Sequence, residues 1–283
     1  MNMFYYEPKT FQEACDLLNK YQDDAKLIAG GQSLMILLRQ KVVVPEHLIN
    51  LKNIKEGAYI KEEGGELKIG ALTTHRQIEK SPLVREKLPA FAEVFSGIGS
   101  VQVRNWGTIG GNLAHSDPAG DLAPILMVLG ARVRVISKSN SNEMPLESFI
   151  TGYLETKLRA SEMLQEIIIP LSKAKSGMAY EKESVRAGDM AMASAAAFIE
   201  IGSKGITRAK VVVGAVGEMP IRLENLEKEL QGQGSKGELH IDPKFDQSII
   251  RMDPYVSKEY KYEISKVKLR NVIQTAFERA KQA

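Results

Sequence analysis

A chain of 283 residues with ordinary hydrophobic (43%) and charged (26%) content is longer than most single domains, so we expect two globular domains. The net charge is +3, and Lys and Arg are scattered among Asp and Glu, which excludes the one-sided basic surface typical of nucleic-acid-binding proteins. The single cysteine, Cys15, excludes an internal disulfide, a cysteine-based zinc site and an iron–sulfur cluster ligated by this chain alone.

The N-terminal segments predict a helix, a strand, a glycine turn and a second helix. Residues 10–21 begin with a threonine cap and carry apolar residues at helical spacing. Residues 25–40, AKLIAGGQSLMILLRQ, predict a short apolar strand, a turn at Gly30 and Gly31, and a helix. A further strand is predicted within residues 47–54, HLINLKNI.

The middle of the chain continues to alternate strands and helices around one long polar loop. That loop contains TIGGNLAHSDPAGD, residues 108–121. Around it we expect a strand entering a helix in 66–84, a helix in 88–99, and a helix followed by a strand in 121–137. A final short pair of elements ends in EMLQEIIIP, residues 162–170. This alternation places roughly the first 170 residues in the α/β or α+β class.

Composition changes near residues 171–178, LSKAKSGM, which are short, polar and flexible. We therefore place a domain boundary at 176/177. Beyond it, two apolar segments, 191–202 and 206–217, are separated by Ser-Lys-Gly and predict a β-hairpin. Amphipathic helices are predicted at 225–232 and 264–283. The second domain is thus predicted to be a small antiparallel sheet packed on helices.

The first glycine pair lies in AGGQSL, residues 29–34, between a predicted strand and a predicted helix. Such a turn presents backbone N–H groups, and the helix dipole adds partial positive charge at the same place. A pyrophosphate would be bound there without any basic side chain. The alternative is that the two glycines simply make a tight turn, because an isolated Gly-Gly pair is weak evidence.

The second glycine pair, Gly110 and Gly111, allows four interpretations. Metal binding lacks a second ligand at helical spacing, and acid/base chemistry lacks a recognisable nucleophile. Phosphate binding fits better: the glycines permit close approach, Thr108 and Asn112 supply side-chain hydrogen bonds, and Asp121 accepts from a ribose or ribityl hydroxyl. The remaining alternative is a polar loop in which Asp121 caps the following helix.

The two glycine loops together favour a dinucleotide more than either does alone. A dinucleotide has two phosphates, which two loops in one α/β region could hold between them. The G-x-G-x-x-G order is absent from both loops, so a standard Rossmann site does not explain this chain.

Three segments carry a resemblance to a known family: AKLIAGGQSL, VQVRNWGTIGGNLAHSDPAGDLAP and GMAYEKESVRAGDMAMASAAAFI. On the basis of these segments, the chain resembles the FAD-binding medium subunit of the molybdenum hydroxylases, and the resemblance covers nearly its whole length. The resemblance implies an α+β protein with a two-subdomain FAD-binding fold of the PCMH type over residues 1–176, divided into about 1–55 and 56–176. A C-terminal α+β domain of antiparallel sheet packed on helices follows at 177–283.

The resemblance also implies which residues bind FAD, with none of them catalytic and none binding a metal. Lys182 is implied to lie near the flavin ring, where its charge would stabilise the reduced flavin. From the residues alone, the favoured interpretation is an exposed lysine in the charged stretch EKESVR. Met190 departs from the family, because some relatives carry an aromatic residue there. The implied FAD-binding residues are Lys26, Leu27, Ile28, Ala29, Gly30, Gly31, Gln32, Ser33 and Leu34 in the first loop, Thr108, Ile109, Gly110, Gly111 and Asn112 in the second, and Ile98, Asp121, Leu164 and Lys182.

The function implied is that of an electron-transfer subunit. It would take electrons from [2Fe–2S] clusters on a small iron–sulfur subunit, fed by molybdopterin on a large subunit, and pass them to an external acceptor, NAD or a quinone. The alternatives are a free-standing FAD-dependent oxidase or reductase and a scaffold without flavin. We expect a cytoplasmic protein, since the sequence shows neither a secretory signal nor an apolar run of the ~20 residues that span a bilayer.

Several other residues attract attention without defining a site. Phe4, Tyr5 and Tyr6 are predicted to anchor the N-terminus in the core, and Cys15 to be a small core residue. Trp106, beside the second glycine loop, is interpreted either as a lid over the cofactor or as a contact for a partner subunit. The isolated histidines, His47, His75 and His240, are predicted to be structural or exposed.

Overall fold

The computed structural model describes residues 3–234 and 239–283. The described residues form three main sheets: one of three parallel strands, one of five antiparallel strands and one of four antiparallel strands. Helices pack on each of them, which confirms the α+β class.

The N-terminal sheet has the strand order β1-β3-β2. Its elements are β1 (Phe4–Tyr6), α1 (Phe11–Tyr21), β2 (Ala25–Ile28), α2 (Leu34–Arg39) and β3 (His47–Asn50). Thr10 caps α1 by accepting a hydrogen bond from the Glu13 N–H, as its position predicts. Cys15, 1% exposed, lies in the core between α1 and this sheet, so its predicted structural role is confirmed.

The second sheet has the strand order β4-β5-β10-β6-β7 and carries most of the helices. Its strands are β4 (Ile60–Glu63), β5 (Glu66–Gly70), β6 (Arg132–Ile136), β7 (Ser141–Pro145) and β10 (Met163–Pro170), with a small ribbon of β8 (Ile150–Gly152) and β9 (Glu155–Thr156). Its helices are α3 (His75–Lys80), α4 (Pro82–Lys87), α5 (Pro89–Ser96), α6 (Val101–Trp106), α7 (Ile109–His115), α8 (Leu122–Val128) and α9 (Leu146–Phe149). Phe91, Phe95 and Phe149 are fully buried in this core.

The C-terminal sheet has the strand order β11-β12-β13-β14. Its elements are β11 (Lys175–Glu183), β12 (Ala193–Gly202), β13 (Gly205–Gly214), β14 (Ile221–Arg222), α10 (Glu224–Leu230) and α11 (Lys258–Gln282). A Cβ on Gly177 would lie 2.1 Å from the Ala276 carbonyl oxygen, so glycine lets α11 rest directly on β11. On the other face, Ala196, Phe198 and Val212 join the core of the second sheet.

Two expectations about the ends of the chain need correction. Phe4 and Tyr5 are 56% and 53% exposed, because β1 is an edge strand and presents them outward, so their predicted core role is wrong. The last helix begins at Lys258, where Ser257 caps it by accepting from the Tyr260 N–H, rather than at 264. None of the helices within the described ranges combines the length and apolar character needed to cross a membrane.

Candidate cofactor-binding site

The first glycine loop offers a row of unpaired backbone donors. It connects the end of β2 at Ile28 to the start of α2 at Leu34. The N–H groups of residues 30–33 donate no hydrogen bond to any described part of the chain. Gly31 has a φ of +71°, a conformation that favours glycine and turns the chain sharply. Consecutive free N–H groups in such a turn are a typical anion-binding arrangement.

The two glycine loops are in direct contact. A Cβ on Gly30 would lie 1.9 Å from the backbone oxygen of Trp106 and 2.9 Å from the Cα of Gly107. Only a residue without a side chain can therefore occupy position 30. The Trp106 side chain is 65% exposed, so its backbone, not its indole, closes on the first loop.

The second glycine pair lies in the first turn of α7, which Thr108 caps, and not in a loop as predicted; the name second loop is kept for residues 107–112. Thr108 Oγ1 accepts from the Gly111 N–H at 3.1 Å, and the Gly110 N–H donates to the Ala71 carbonyl at 2.9 Å. A Cβ on Gly110 would lie 2.6 Å from the Ala71 Cβ, whereas one on Gly111 would meet only Thr108 among the described residues. The two glycines thus differ. Gly110 permits packing on Ala71 at the end of β5, whereas Gly111 lies on the side of the segment that faces away from Ala71 and is open.

Asp121 forms a buried ion pair beside this loop. Its Oδ1 accepts from the Tyr180 hydroxyl at 2.6 Å and its Oδ2 from Lys182 Nζ at 2.9 Å. The side chains of Asp121 and Lys182 are only 8% and 14% exposed. Asp121 has a helical backbone conformation and makes no capping hydrogen bond, so the interpretation that it caps α8 is wrong. The interpretation of Lys182 as an exposed lysine is also wrong.

The turn around Ile98 is fixed by a buried arginine. Arg104 Nη1 donates to the carbonyls of Ile98 and Gly99 at 3.1 and 3.0 Å, and its Nε donates to Glu79 at 3.1 Å. Lys182 Nζ donates to the carbonyl of Gly97 at 3.2 Å, at the start of the same turn. The predicted residues Ile98 and Lys182 are thereby brought together.

Comparison with known proteins decides the family. Residues 1–172 match the family described as the FAD binding domain in molybdopterin dehydrogenase, and residues 178–276 match the CO dehydrogenase flavoprotein C-terminal domain. The chain belongs to the FAD-binding subunits of the molybdenum hydroxylases. The predicted family and its two-part fold are thus confirmed, and the chain is an oxidoreductase subunit.

Individual relatives of this molybdenum hydroxylase subunit support the same family assignment. The carbon monoxide dehydrogenase medium chain of Hydrogenophaga pseudoflava is 34% identical over 229 residues, covering 81% of this chain and 80% of the relative. The nicotinate dehydrogenase FAD-subunit of Eubacterium barkeri is 34% identical, covering 81% and 79%. A solved structure of the Hydrogenophaga pseudoflava carbon monoxide dehydrogenase superposes with a TM-score of 0.90 at 30% identity, covering 99% of this chain and 98% of that one.

The remaining predicted residues of this FAD-binding subunit are placed as follows. Leu164 is 5% exposed in the core of the second sheet, next to Gln165, whose carbonyl accepts from the Ala71 N–H under the second loop. Asp117 accepts from the Ala119 N–H and so forms a local turn. Within residues 3–234 and 239–283, no group of three His, Cys, Asp or Glu side chains could hold a metal ion.

Reasoning from the sequence of this subunit missed two site residues. Tyr180 and Lys182 lie two residues apart on β11 and therefore on the same face of the strand. This spacing in AYEK could have indicated Tyr180 as a neighbour of Lys182. Burial and the neighbouring Asp121 carboxylate raise the pKa of the Tyr180 phenol well above its usual value, so it remains a hydrogen-bond donor. Arg104 had no local signal, because its partners lie 5 to 25 residues away.

His75 lies directly beneath the second glycine loop of the flavin subunit. Its ring is 3% exposed, and a Cβ on Gly107 would lie 2.9 Å from its Cδ2. Burial, and then the positive charge of Arg104, lower the pKa of His75 from 6.5 to about 4. Its predicted structural role is confirmed, and the imidazole is neutral at pH 7.

We expect His75 to make the protein acid-sensitive. His75 takes up a proton near pH 6.5 in the unfolded chain but only near pH 4 in the folded chain. The stability that depends on its neutral form is therefore fully present above pH 6.5 and decreases as the pH falls from 6.5 to 4. The loss from this one group is about 3 kcal/mol in the free energy of unfolding. Urea denaturation at several pH values measures it, and His75→Leu should flatten the curve in this window. An equal acid dependence in His75→Leu and in the control His240→Leu would contradict the assignment.

Proposed function

We propose that this chain binds FAD between its two glycine loops and works as the electron-transfer subunit of a multi-chain molybdenum hydroxylase. Electrons arrive from [2Fe–2S] clusters on a small partner chain, after substrate oxidation at molybdopterin on a large partner chain. The subunit passes them to an external acceptor, NAD or a quinone. FAD supplies this redox chemistry, and the residues of this chain bind it, orient it and set its surroundings.

The observation that carries the proposal is the first loop, with its unpaired N–H groups at residues 30–33. Residues 30–33 are half-buried or exposed, so their N–H groups are open to a ligand, and a diphosphate supplies several acceptor oxygens within a short span. The contact between Gly30 and the Trp106 backbone brings the second loop alongside, so both loops can reach one dinucleotide. Gly111 leaves the facing surface of the second loop open. The residues present therefore fit FAD.

Lys182 contributes a directed hydrogen bond rather than a free charge. An ammonium group has three N–H donors. Two of them are used by Asp121 and by the Gly97 carbonyl, which leaves one for the flavin. Because Asp121 balances its charge, Lys182 brings little net positive charge to the site. The proposed FAD-binding residues are those expected from the sequence. Among them, Gly110 contributes by packing on Ala71 rather than by facing the ligand.

The partner chains follow from what this chain lacks and from the names of its relatives. A single cysteine cannot ligate an iron–sulfur cluster, so a cluster that reduces this flavin would lie on another chain. Relatives are named as a medium chain, a FAD-subunit and a subunit beta, which are parts of larger enzymes. We propose a small iron–sulfur subunit and a large molybdopterin subunit as partners, in the cytoplasm.

Purification tests this proposal. The full chain, alone and with its co-expressed neighbours, should carry flavin absorbance or gain it on adding FAD. Substrate should bleach the flavin only when the partner chains are present. A colourless chain that cannot be reconstituted contradicts FAD binding. Bleaching by a small substrate in the isolated chain would instead favour a free-standing FAD-dependent oxidase or reductase.

A further inference from the structure

The Asp121 carboxylate is held by two residues of a different domain. Tyr180 and Lys182 both project from β11 of the C-terminal sheet, whereas Asp121 precedes α8 on the second sheet. Each carboxylate oxygen has its own donor, the Tyr180 hydroxyl at 2.6 Å and Lys182 Nζ at 2.9 Å. Residues at i and i+2 of a strand share a face, so β11 delivers both donors together.

We propose that Tyr180 is a positioning residue for the flavin site: its hydroxyl fixes the Asp121 carboxylate, which in turn aims Lys182 at the cofactor. The inference rests on the proposed FAD-binding function. Tyr180 itself does not touch the flavin in this scheme. It acts only through Asp121.

The geometry explains why the phenol is needed. A carboxylate can accept from both of its oxygens, and a lone ammonium partner draws both toward itself. With Tyr180 occupying Oδ1, only Oδ2 is left for Lys182, which therefore stays within reach of the Gly97 carbonyl at 3.2 Å. Without the phenol, Asp121 can turn both oxygens to Lys182 and change the direction of its third N–H. The free donor would then point away from its ligand.

The same contact couples the two domains to the cofactor. A cavity of about 340 Å³ borders this trio, between α5, β11 and α11. The C-terminal domain reaches the flavin site across this region through Tyr180 and Lys182. Because coupling between two equilibria is reciprocal, FAD binding should strengthen the contact between β11 and Asp121, and loss of that contact should weaken FAD binding.

Tyr180→Phe in the full chain tests the inference, since phenylalanine keeps the ring and removes only the hydroxyl. We expect FAD binding to the apoprotein, titrated by flavin fluorescence, to weaken about 10-fold or more. The melting temperature of the apoprotein should fall, because the buried carboxylate loses a hydrogen bond, and the rise in melting temperature on adding FAD should shrink. Tyr255→Phe is the matched control, because that side chain is 92% exposed.

A second background separates positioning from general packing. If Tyr180 acts through Asp121, Tyr180→Phe should have no further effect on FAD affinity in an Asp121→Ala chain. Unchanged affinity in the single variant, or equal weakening in both backgrounds, overturns the inference. If the unaltered apoprotein fails to bind FAD at all, the proposed function itself fails. If it binds and Tyr180→Phe binds equally well, only the role of Tyr180 is lost.

Discussion

A Gly30→Ala chain should purify without flavin and be less stable than the unaltered protein. Its new Cβ would lie 1.9 Å from the Trp106 carbonyl oxygen, and neither backbone can yield without parting the two loops. Overpacking of this kind costs about 1–3 kcal/mol in the free energy of unfolding. The loss of FAD should be larger than this cost suggests, because the free N–H groups of the first loop would no longer face the second.

Visible absorbance of the purified protein, with and without added FAD, measures the effect of Gly30→Ala. Gly202→Ala is a suitable control, since its Cβ would approach only the end of the Thr207 side chain, at 2.9 Å, and that side chain can turn. Normal flavin content in Gly30→Ala would show that the contact between the loops does not form the site.

Asp121→Ala should be strongly destabilising even in the absence of FAD. It leaves the buried Lys182 ammonium without its counter-charge and the Tyr180 hydroxyl without its acceptor. Removing one partner of a buried ion pair costs about 3–5 kcal/mol. Urea denaturation of the apoprotein measures this loss. FAD affinity should fall as well, because Lys182 would no longer be held in place.

The double variant Asp121→Ala with Lys182→Met checks the reason for that loss. Methionine removes the uncompensated charge while keeping an unbranched side chain, so part of the stability should return. Additive effects of the two substitutions would instead indicate that each residue contributes independently and that their ion pair matters little.

Secondary structure was predictable from the sequence where hydrophobic periodicity and turn residues determine it. The strand, turn and helix around Gly30 and the hairpin of β12 and β13 lie where periodicity and turn residues place them. Tyr6 packs against the N-terminal core as predicted, but Phe4 and Tyr5 do not, because strand order decides exposure and nothing in residues 4–6 indicates an edge strand.

The site was predictable only in part. The two loops were found as separate motifs, but the backbone contact between Gly30 and Trp106 joins residues far apart in sequence. Tyr180 was missed because its partner, Asp121, lies in another domain. The roles of the FAD-contacting residues and the domain bounds 1–176 and 177–283 stay predictions.

The different use of backbone donors in the two glycine loops has a consequence for how the cofactor is acquired. In the second loop, Gly110 and Gly111 are already bonded to the protein, so that half of the site exists before any ligand arrives. In the first loop, the N–H groups of residues 30–33 have no acceptor among the described residues and stay open to a ligand. Exchange of amide hydrogens with solvent should therefore be fast in one loop and slow in the other. If both loops bind FAD as proposed, we expect the first loop to lose more conformational freedom than the second when the cofactor binds.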